Sequence, residues 1–425
     1  MFSNMLKKIV ALGTALLFTV SMAEAKEAPT LNEGAKGALE AELASLEGEV
    51  YGLGVILYKD GQEVYRRFTG YSAPDKTPLT DNTRFRAGDL SAMFTAFTYM
   101  QLAERKIINL DDEVSPYVGF TLRNPAYPDI PITFRMLLNH TSSLRDDKVY
   151  STPPIISVKE FFYPMGMYWE GGRHFAPQGE VPGEYFCYAH LNYGVLGTAL
   201  EALTRQRFDR FQKNNILAQL LIKADYVPAN FDAADFAKLG VPCRRDQTGK
   251  WQAAVDYFPE GQPARNTLSL QNPEAPGEQG TFNIRDYHPG INATIFAPAG
   301  GLRISGNELK NALEMLINKG VFLQKPVLSP GGLEALTAKQ WQYNGANGDT
   351  ADNTYLSYGW GLYQIDGQAQ GYPCDLIGNN GGDYGVQAGL FYRPGSQDGF
   401  IYLLNGAEKE QAKKIMTALC AAMVK

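Results

Sequence analysis

Three side chains in this sequence have the chemical types that move protons: Asp89, Tyr188 and His190. A carboxylate, a phenol and an imidazole that face one cleft form an acid–base group, since each can hold or release a proton beside a bound molecule. Asp89 and His190 are also metal-ligand types, but two ligands without a third do not define a metal site. We therefore predict neither a metal nor a cofactor.

Each of these residues also has a simpler structural interpretation. Asp89 precedes an apolar run, residues 93–103, whose spacing wraps most of a helical cylinder and predicts a buried helix. The Asp89 carboxylate would then be the N-cap of that helix. Tyr188 can be a buried aromatic residue with one hydrogen bond, and His190 a hydrogen-bonded histidine without a catalytic role. The sequence leaves both interpretations open.

The elements that must position these residues come from both ends of the chain. The N-terminal part predicts a helix and a hairpin, and the C-terminal part predicts strands and a closing helix: residues 34–48, 51–58 with 62–69, 358–362, 385–392 with 400–405, and 408–424. This order favours one antiparallel sheet that is completed by both termini and flanked by helices. The predicted fold class is therefore α/β, of the α+β type.

The predicted domain has two lobes. Residues 34–80 and 325–425 form the sheet lobe, and residues 81–324 form a helical lobe. Within the helical lobe, residues 226–290 are rich in Pro, Gly and polar residues, which predicts an irregular insertion. A cleft is expected at the junction of the two lobes, where ligand sites usually lie.

Residues 1–25 have the organisation of a secretory signal peptide. Lys7 and Lys8 supply the basic start, residues 9–20 the apolar stretch, and Ala23-Glu24-Ala25 the small-x-small cleavage site. The apolar stretch is too short for a stable membrane anchor. We therefore expect residues 26–425 to be exported, to the periplasm or the medium, without a stable membrane span.

The charge of the chain argues against some classes of partner, and the spacing of its cysteines against a metal site. The net charge of −6 and the pI near 5.5 argue against nucleic acid and against an anionic membrane surface. A small-molecule or peptide ligand is compatible with this charge, and the oligomeric state is left open. Cys187, Cys243, Cys374 and Cys420 lack the close spacing of a metal site. They can form one or two disulfides, with three pairings available, or remain four buried thiols.

Five phrases of the sequence resemble the serine β-lactamase and penicillin-binding protein family, in particular its class C β-lactamase-related serine hydrolases. They occur in the family's order and span nearly the whole chain after residue 25: residues 85–96, 132–144, 182–197, 298–302 and 378–382. The resemblance implies a β-lactamase/transpeptidase-like fold. It also implies a cleft that binds a peptide- or cell-wall-like ligand.

The family's first motif, Ser-x-x-Lys, is degraded in this chain. The alignment of residues 85–96 with the family phrase places Asp89 at the nucleophilic serine and Ala92 at the lysine. Asp89 cannot attack a carbonyl as a serine does, and Ala92 has no amine to accept a proton. Ser91 is the nearest hydroxyl, but no lysine follows it at the required spacing. Covalent serine catalysis is therefore not expected.

The second motif is altered but keeps part of its chemistry. Tyr188 occupies the tyrosine position of Tyr-x-Asn, and His190 replaces the asparagine.

The third motif, Lys/His-Thr-Gly, has lost its charge. Asn379 and Asn380 replace its first two residues, which removes the cation that the family uses for a substrate carboxylate. Gly381 and Gly382 keep a narrow strand edge that a ligand can approach. We therefore predict Asn379, Asn380, Gly381 and Gly382 as ligand-binding residues.

Two functions follow from this pattern. In the first, the protein is a non-catalytic, exported relative of these serine hydrolases whose cleft binds a peptide- or cell-wall-like ligand. In the second, it is an active hydrolase with a rebuilt site, using Asp89, Tyr188 and His190 on an ester or an amide. The absence of a serine at position 89 and of a lysine at position 92 favours the first function.

Overall fold

The computed structural model describes residues 29–254, 261–271 and 279–425, and the predicted signal peptide lies outside these ranges. The strands in the described ranges are β1 (Gly52–Lys59), β2 (Gln62–Gly70), β3 (Arg84–Arg86), β4 (Cys243–Arg245), β5 (Trp251–Ala253), β6 (Thr267–Gln271), β7 (Gln279–Asn283), β8 (Arg303–Ser305), β9 (Val321–Phe322), β10 (Lys325–Pro326), β11 (Trp341–Gln342), β12 (Ser357–Tyr358), β13 (Tyr363–Ile365), β14 (Leu376–Asp383), β15 (Val386–Tyr392) and β16 (Gly399–Asn405). The α-helices are α1 (Glu33–Glu47), α2 (Ser91–Glu104), α3 (Ser115–Val118), α4 (Phe134–Leu138), α5 (His190–Thr204), α6 (Phe208–Gln212), α7 (Ala233–Phe236), α8 (Gly306–Ile317), α9 (Pro330–Thr337), α10 (Gly367–Gln370) and α11 (Lys409–Val424).

The main sheet joins the two ends of the chain, as predicted. Its eight strands within the described residues run in the order β11-β12-β13-β14-β15-β16-β1-β2, and every neighbouring pair is antiparallel. The N-terminal strand β1 lies beside β16, with Gly52 opposite Asn405. The predicted fold class, a β-lactamase/transpeptidase-like fold with helices and an antiparallel sheet, is confirmed.

Two local predictions, a hairpin and a single strand, had different outcomes. Asp60 and Gly61 both have positive φ, at 48° and 77°, which is the geometry of a two-residue hairpin turn and explains why the β1–β2 prediction is confirmed. The single strand predicted over residues 358–362 is wrong. The chain reverses after Tyr358 and re-enters the sheet at Tyr363, because Gly361 takes a positive φ of 65°.

Helices cover both faces of the sheet. On one face, α1 and α11 bury Leu43, Leu46 and Ile415 against β1 and β16. On the other face, α2 and α8 pack into a larger core that continues through the helical part of the chain. Helix α2 is buried from Ser91 to Leu102, as its all-round apolar sequence predicts.

The segment predicted as an irregular insertion contains short regular pieces. Residues 226–290 include the two small hairpins β4–β5 and β6–β7. Part of this segment lies outside the described residues. No helix in the described ranges is long and apolar enough to cross a lipid bilayer.

The cysteines adopt one of the pairings that the sequence left open. Cys374 and Cys420 form a disulfide, which ties the segment before β14 to α11. Cys187 and Cys243 are free thiols.

Candidate functional site

Asp89 and His190 meet in the folded protein, together with a third residue, Asp146. Asp89 Oδ1 lies 3.1 Å from His190 Nε2, and Asp146 Oδ2 lies 2.6 Å from His190 Nδ1. The side chains are 23%, 34% and 22% exposed for Asp89, His190 and Asp146, so solvent reaches each of them. An imidazole is thus held between two carboxylates.

The local sequence explains why Asp146 is required here. Helix α5 begins at His190, and the preceding residue, Ala189, has no side chain that can cap the helix. Asp146 supplies the cap from a distant loop, because its carboxylate accepts the backbone N–H groups of His190 at 2.7 Å and Leu191 at 3.0 Å. The same carboxylate therefore fixes the start of the helix and the orientation of the imidazole.

The two carboxylates keep the imidazole charged. Burial disfavours the imidazolium, but Asp89 and Asp146 outweigh it and hold the pKa of His190 well above its ordinary value. Burial likewise opposes the Asp146 carboxylate, yet its hydrogen bonds from His190 and the helix N–H groups lower its pKa. At neutral pH, His190 consequently donates both ring N–H groups, one to each carboxylate. A protonated imidazole in this state cannot act as a general base.

Asp89 does not cap α2, and that prediction is wrong. Residues Gly88–Leu90 form a 3₁₀ turn before α2, and neither this turn nor α2 has a side-chain cap. The Asp89 carboxylate turns toward His190 instead, because an ion pair with an imidazolium is stronger than a cap bond to a neutral N–H.

Tyr188 lies beside the pair within a stack of aromatic rings. Its ring is 4.1 Å from that of His140, 5.2 Å from that of Tyr355 and 5.7 Å from that of His190, measured between centroids. The Tyr188 hydroxyl is buried and has no hydrogen-bond partner among the described residues. Burial and the Asp89 carboxylate raise the pKa of Tyr188 well above its ordinary value. Tyr188 therefore stays protonated and cannot remove a proton from a nucleophile.

His140 lies in the core beneath the start of α5. It is fully buried, accepts the backbone N–H of Ala189 at 3.2 Å and contacts the Asn192 side chain. Burial, reinforced by the charge of His190, lowers the pKa of His140 to about 3, so it remains neutral.

The third predicted motif divides between the two faces of β14. Gly381 packs against the turn that carries Asp89, since a Cβ on Gly381 would lie 2.3 Å from the Asp89 backbone nitrogen. Asn379 shares this face, and its Nδ2 donates to the Gly361 carbonyl at 2.8 Å.

Asn380 points to the other face of β14, where it contacts Met416 of α11 at 3.8 Å. A Cβ on Gly382 would meet the Gln387 side chain. The structure thus brings Asn379 and Gly381 to the site, and places Asn380 away from it.

No serine replaces the missing nucleophile at this turn. The Ser91 hydroxyl is buried, donates to the Gly88 carbonyl at 2.8 Å and accepts the Leu302 N–H at 3.1 Å. Ala92 is buried without any proton acceptor in its side chain. Ser91 and Ala92 consequently serve the packing of α2.

Two residues of the site, Asp146 and Tyr150, are not among the residues predicted from the sequence. Tyr150 is 45% exposed, and its ring stacks on that of His190 at 5.0 Å. Asp146 follows the matched phrase 132–144 almost directly, which is the one signal that could have drawn attention to it. Within the described ranges, no group of three or more His, Cys, Asp or Glu side chains is arranged to hold a metal ion.

The fold defines a class: the proteins built like β-lactamases and penicillin-binding proteins. The family model described as Beta-lactamase matches residues 28–422. The chain therefore belongs to the β-lactamase family.

Curated relatives match part of this chain. Protein flp of Staphylococcus aureus (strain COL) is 25% identical over 175 residues, which cover 41% of this chain and 34% of Flp. Penicillin-binding protein 4* of Bacillus subtilis (strain 168) is 28% identical over 169 residues, covering 38% of this chain and 35% of the relative. The matched region thus spans about a third of each relative's length.

Solved structures share the fold over most of the chain. The octameric penicillin-binding protein homologue from Pyrococcus abyssi aligns with a TM-score of 0.65 and 20% identity, covering 92% of this chain and 78% of the homologue. EstCE1, a hydrolase with promiscuous acyltransferase activity, also aligns with a TM-score of 0.65, at 18% identity, covering 92% of this chain and 98% of EstCE1. These similarities concern the fold.

Proposed function

We propose that this protein is an exported member of the β-lactamase family that forms no acyl-serine intermediate and binds a peptide- or cell-wall-derived ligand beside Asp89. One observation carries the proposal: Asp89, which the resemblance aligns with the family's nucleophilic serine, has a carboxylate that pairs with a protonated His190. The loss of a nucleophilic serine alone lowers serine hydrolase rates by about a millionfold. The predicted signal peptide, and similarity to proteins named as penicillin-binding, support the location and the ligand class.

The electrostatics of the site support the loss of acyl transfer. Proton removal from a nucleophile needs a base with a lowered or matched pKa, and Tyr188 and His190 both have raised pKa values. The lysine of the first motif and the cation of the third are replaced by Ala92 and Asn379, neither of which carries charge. Tyr188 and His190 therefore stay protonated, whereas acyl transfer in this family requires a base that removes a proton from the nucleophile.

A second candidate function is hydrolysis of an ester or an amide by Asp89, Tyr188 and His190. The convergence of Asp89 and His190 at 3.1 Å, with Tyr188 alongside, is the observation that favours it. In this case Asp89 must act on water or substrate directly, since no serine is available.

Labelling and turnover distinguish the two functions. The native protein is incubated with a fluorescent penicillin and with a panel of p-nitrophenyl esters and D-amino peptides, beside Asp89→Ala, His190→Ala and a catalytically active serine β-lactamase. We expect no covalent label and no hydrolysis above that of the two variants. Hydrolysis by the native protein that disappears in either variant would establish the second function and refute the first.

Binding is measured separately. Soluble muropeptides released from peptidoglycan by a muramidase are titrated against the native protein by calorimetry. We expect saturable heat that is reduced in Tyr150→Ala, because the exposed Tyr150 ring stacks on His190 of the site. If no muropeptide binds, the ligand part of the proposal is wrong, whatever the labelling result.

A further inference from the structure

The charges at the site sum to a negative value. Asp89 and Asp146 contribute two carboxylates, and His190 contributes one positive charge between them. The nearby guanidinium of Arg145 pairs with both Glu180 and Asp349, so it does not offset the surplus. One negative charge therefore remains at a place that solvent can reach.

The carboxylate oxygen of this group that accepts no hydrogen bond belongs to Asp89. Its Oδ1 accepts from His190, whereas Oδ2 makes no hydrogen bond within the described part of the chain. Asp146 is different, since its two oxygens are used by His190 and by the first N–H groups of α5. Asp89 Oδ2 is thus the acceptor that a ligand would meet.

Aromatic rings surround this acceptor. Tyr150 stacks on one side of His190, and Tyr188 meets the His190 ring edge at 5.7 Å. Asp89 also raises the pKa of Tyr355, which stacks on Tyr188, so the carboxylate lies within electrostatic reach of these rings. The Tyr188 ring is already stacked on His140 and Tyr355, whereas Tyr150 stacks on His190 with one face and is 45% exposed. The electron-rich face of Tyr150 that points away from His190 can therefore attract a cation.

Two buried polar atoms have no hydrogen-bond partner among the described residues: the Tyr188 hydroxyl and Asn379 Oδ1. The Asn379 side chain donates to the Gly361 carbonyl. Gly361 in turn lies against α2, since a Cβ on it would be 3.1 Å from the Ala92 carbonyl oxygen. An amide oxygen can only accept a hydrogen bond, so it requires a donor. A positively charged N–H donor satisfies the unpaired Asp89 Oδ2, the acceptor of this group that solvent reaches.

We infer that the ligand of this site carries a primary ammonium group, which binds Asp89 Oδ2 beside the exposed ring of Tyr150. This rests on the proposed binding function and specifies its chemistry. The family motif that holds a substrate carboxylate is replaced in this chain by Asn379 and Asn380, and the preferred charge of the ligand is reversed accordingly.

A matched pair of probes tests the inference. Nα-acetyl-L-lysine amide carries a free ε-ammonium, and its Nε-acetylated counterpart has the same backbone without the charge. Both are titrated against the native protein by calorimetry at low ionic strength. We expect the charged probe to bind about ten- to a hundredfold more tightly, as a charge-assisted hydrogen bond in a partly buried site provides.

Three variants locate the effect. Asp89→Asn keeps the shape of the side chain and should abolish the preference for the charged probe. Asp129→Asn removes an exposed carboxylate elsewhere on the surface and should leave the preference unchanged. Tyr150→Ala should weaken the charged probe about two- to fivefold more than Tyr150→Phe does, since the ring face provides the contact. Thermal melts confirm that each variant is folded.

The possible outcomes separate this inference from the function beneath it. Equal affinity for the two probes, tighter binding of the neutral probe, or no binding of either refutes the ammonium inference. A preference that survives in Asp89→Asn also refutes it, because the charge then acts elsewhere. None of these results affects the muropeptide titration, which tests the binding function independently.

Discussion

At the scale of single residues, the carboxylate at position 89 influences the protonation of the titratable groups around it. The carboxylate of Asp89 contributes to the raised pKa values of Tyr188, Tyr193 and Tyr355 and to the charging of His190. Amines near a tyrosine stabilise its deprotonated form, whereas a carboxylate stabilises the protonated one. The same phenol that could accept a proton beside a lysine can only donate one beside Asp89.

His190 should therefore be charged at neutral pH. We expect its imidazole ¹⁵N resonances, assigned by loss in His190→Asn, to show the doubly protonated form at pH 7.5. His140, whose pKa falls to about 3, should show the neutral form in the same spectrum. A neutral His190 at this pH would mean that the two carboxylates do not act on the ring as the structure indicates.

The charge of His190 should also appear in the stability. Because its pKa is raised on folding, its contribution is fully present below about pH 6.5, the value in an unfolded chain, and disappears as the pH rises through the folded value. The difference in unfolding free energy between native protein and His190→Asn, measured in urea, should be largest near pH 6 and smaller at pH 9. A constant difference across this range would contradict the ion pair.

At the scale of elements, the site depends on a close approach between a strand and a turn. Gly381 of β14 lies against the backbone of Ala87 and Asp89, and backbone atoms cannot move aside as a flexible side chain can. Gly88 takes a positive φ of 54° in the same contact, which places its α-carbon against the Gly382 backbone. This contact sets the position of Asp89 relative to the sheet.

Gly381→Ala should disrupt this contact. Its new Cβ would lie 2.3 Å from both the Ala87 carbonyl oxygen and the Asp89 nitrogen, so we expect a loss of about 1–3 kcal/mol in unfolding free energy. Gly37→Ala is the control: this glycine is exposed within α1 with no atom near its Cβ position, and the change should stabilise the protein by about 0.5–1 kcal/mol. Similar effects of the two changes in urea melts would contradict the packing of β14 on the turn.

At the scale of the whole molecule, the closing helix is attached to the sheet covalently as well as by packing. The Cys374–Cys420 disulfide closes a loop with a sequence separation of 46, and α11 covers one face of the sheet. A loop of this length corresponds to about 4 kcal/mol in the chain-entropy account of disulfides, with measured values usually about 2–4 kcal/mol.

Alkylation tests the pairing. In denaturant without reductant, iodoacetamide should modify only Cys187 and Cys243, and all four cysteines after reduction. In the native protein both free thiols should react slowly, because burial raises the pKa of Cys187 to about 12 and that of Cys243 to about 11.

Reduction should destabilise the native protein by about 2–4 kcal/mol. The variant Cys374→Ser/Cys420→Ser is the control, since a reductant has no disulfide to break in it. If reductant lowers the stability of both proteins equally, the disulfide does not provide the stabilisation.

The sequence by itself determined the elements and the fold class. Hairpins and amphipathic or buried helices are encoded in short stretches, by turn residues and by the period of apolar side chains, and these can be read without knowing where the stretches go. The resemblance of residues 85–96 to the family's first motif likewise predicts, from residue identity alone, that Asp89 and Ala92 take the places of its serine and lysine.

Only the tertiary structure decided what Asp89 does. A cap was expected from its position at the start of α2, and an ion pair with His190 was formed instead, supported by Asp146 from a third segment. Tertiary structure likewise separated Asn379 from Asn380 and selected the cysteine pair. These outcomes depend on residues far apart in the chain, whose mutual distances are set by how the elements dock and not by any local pattern.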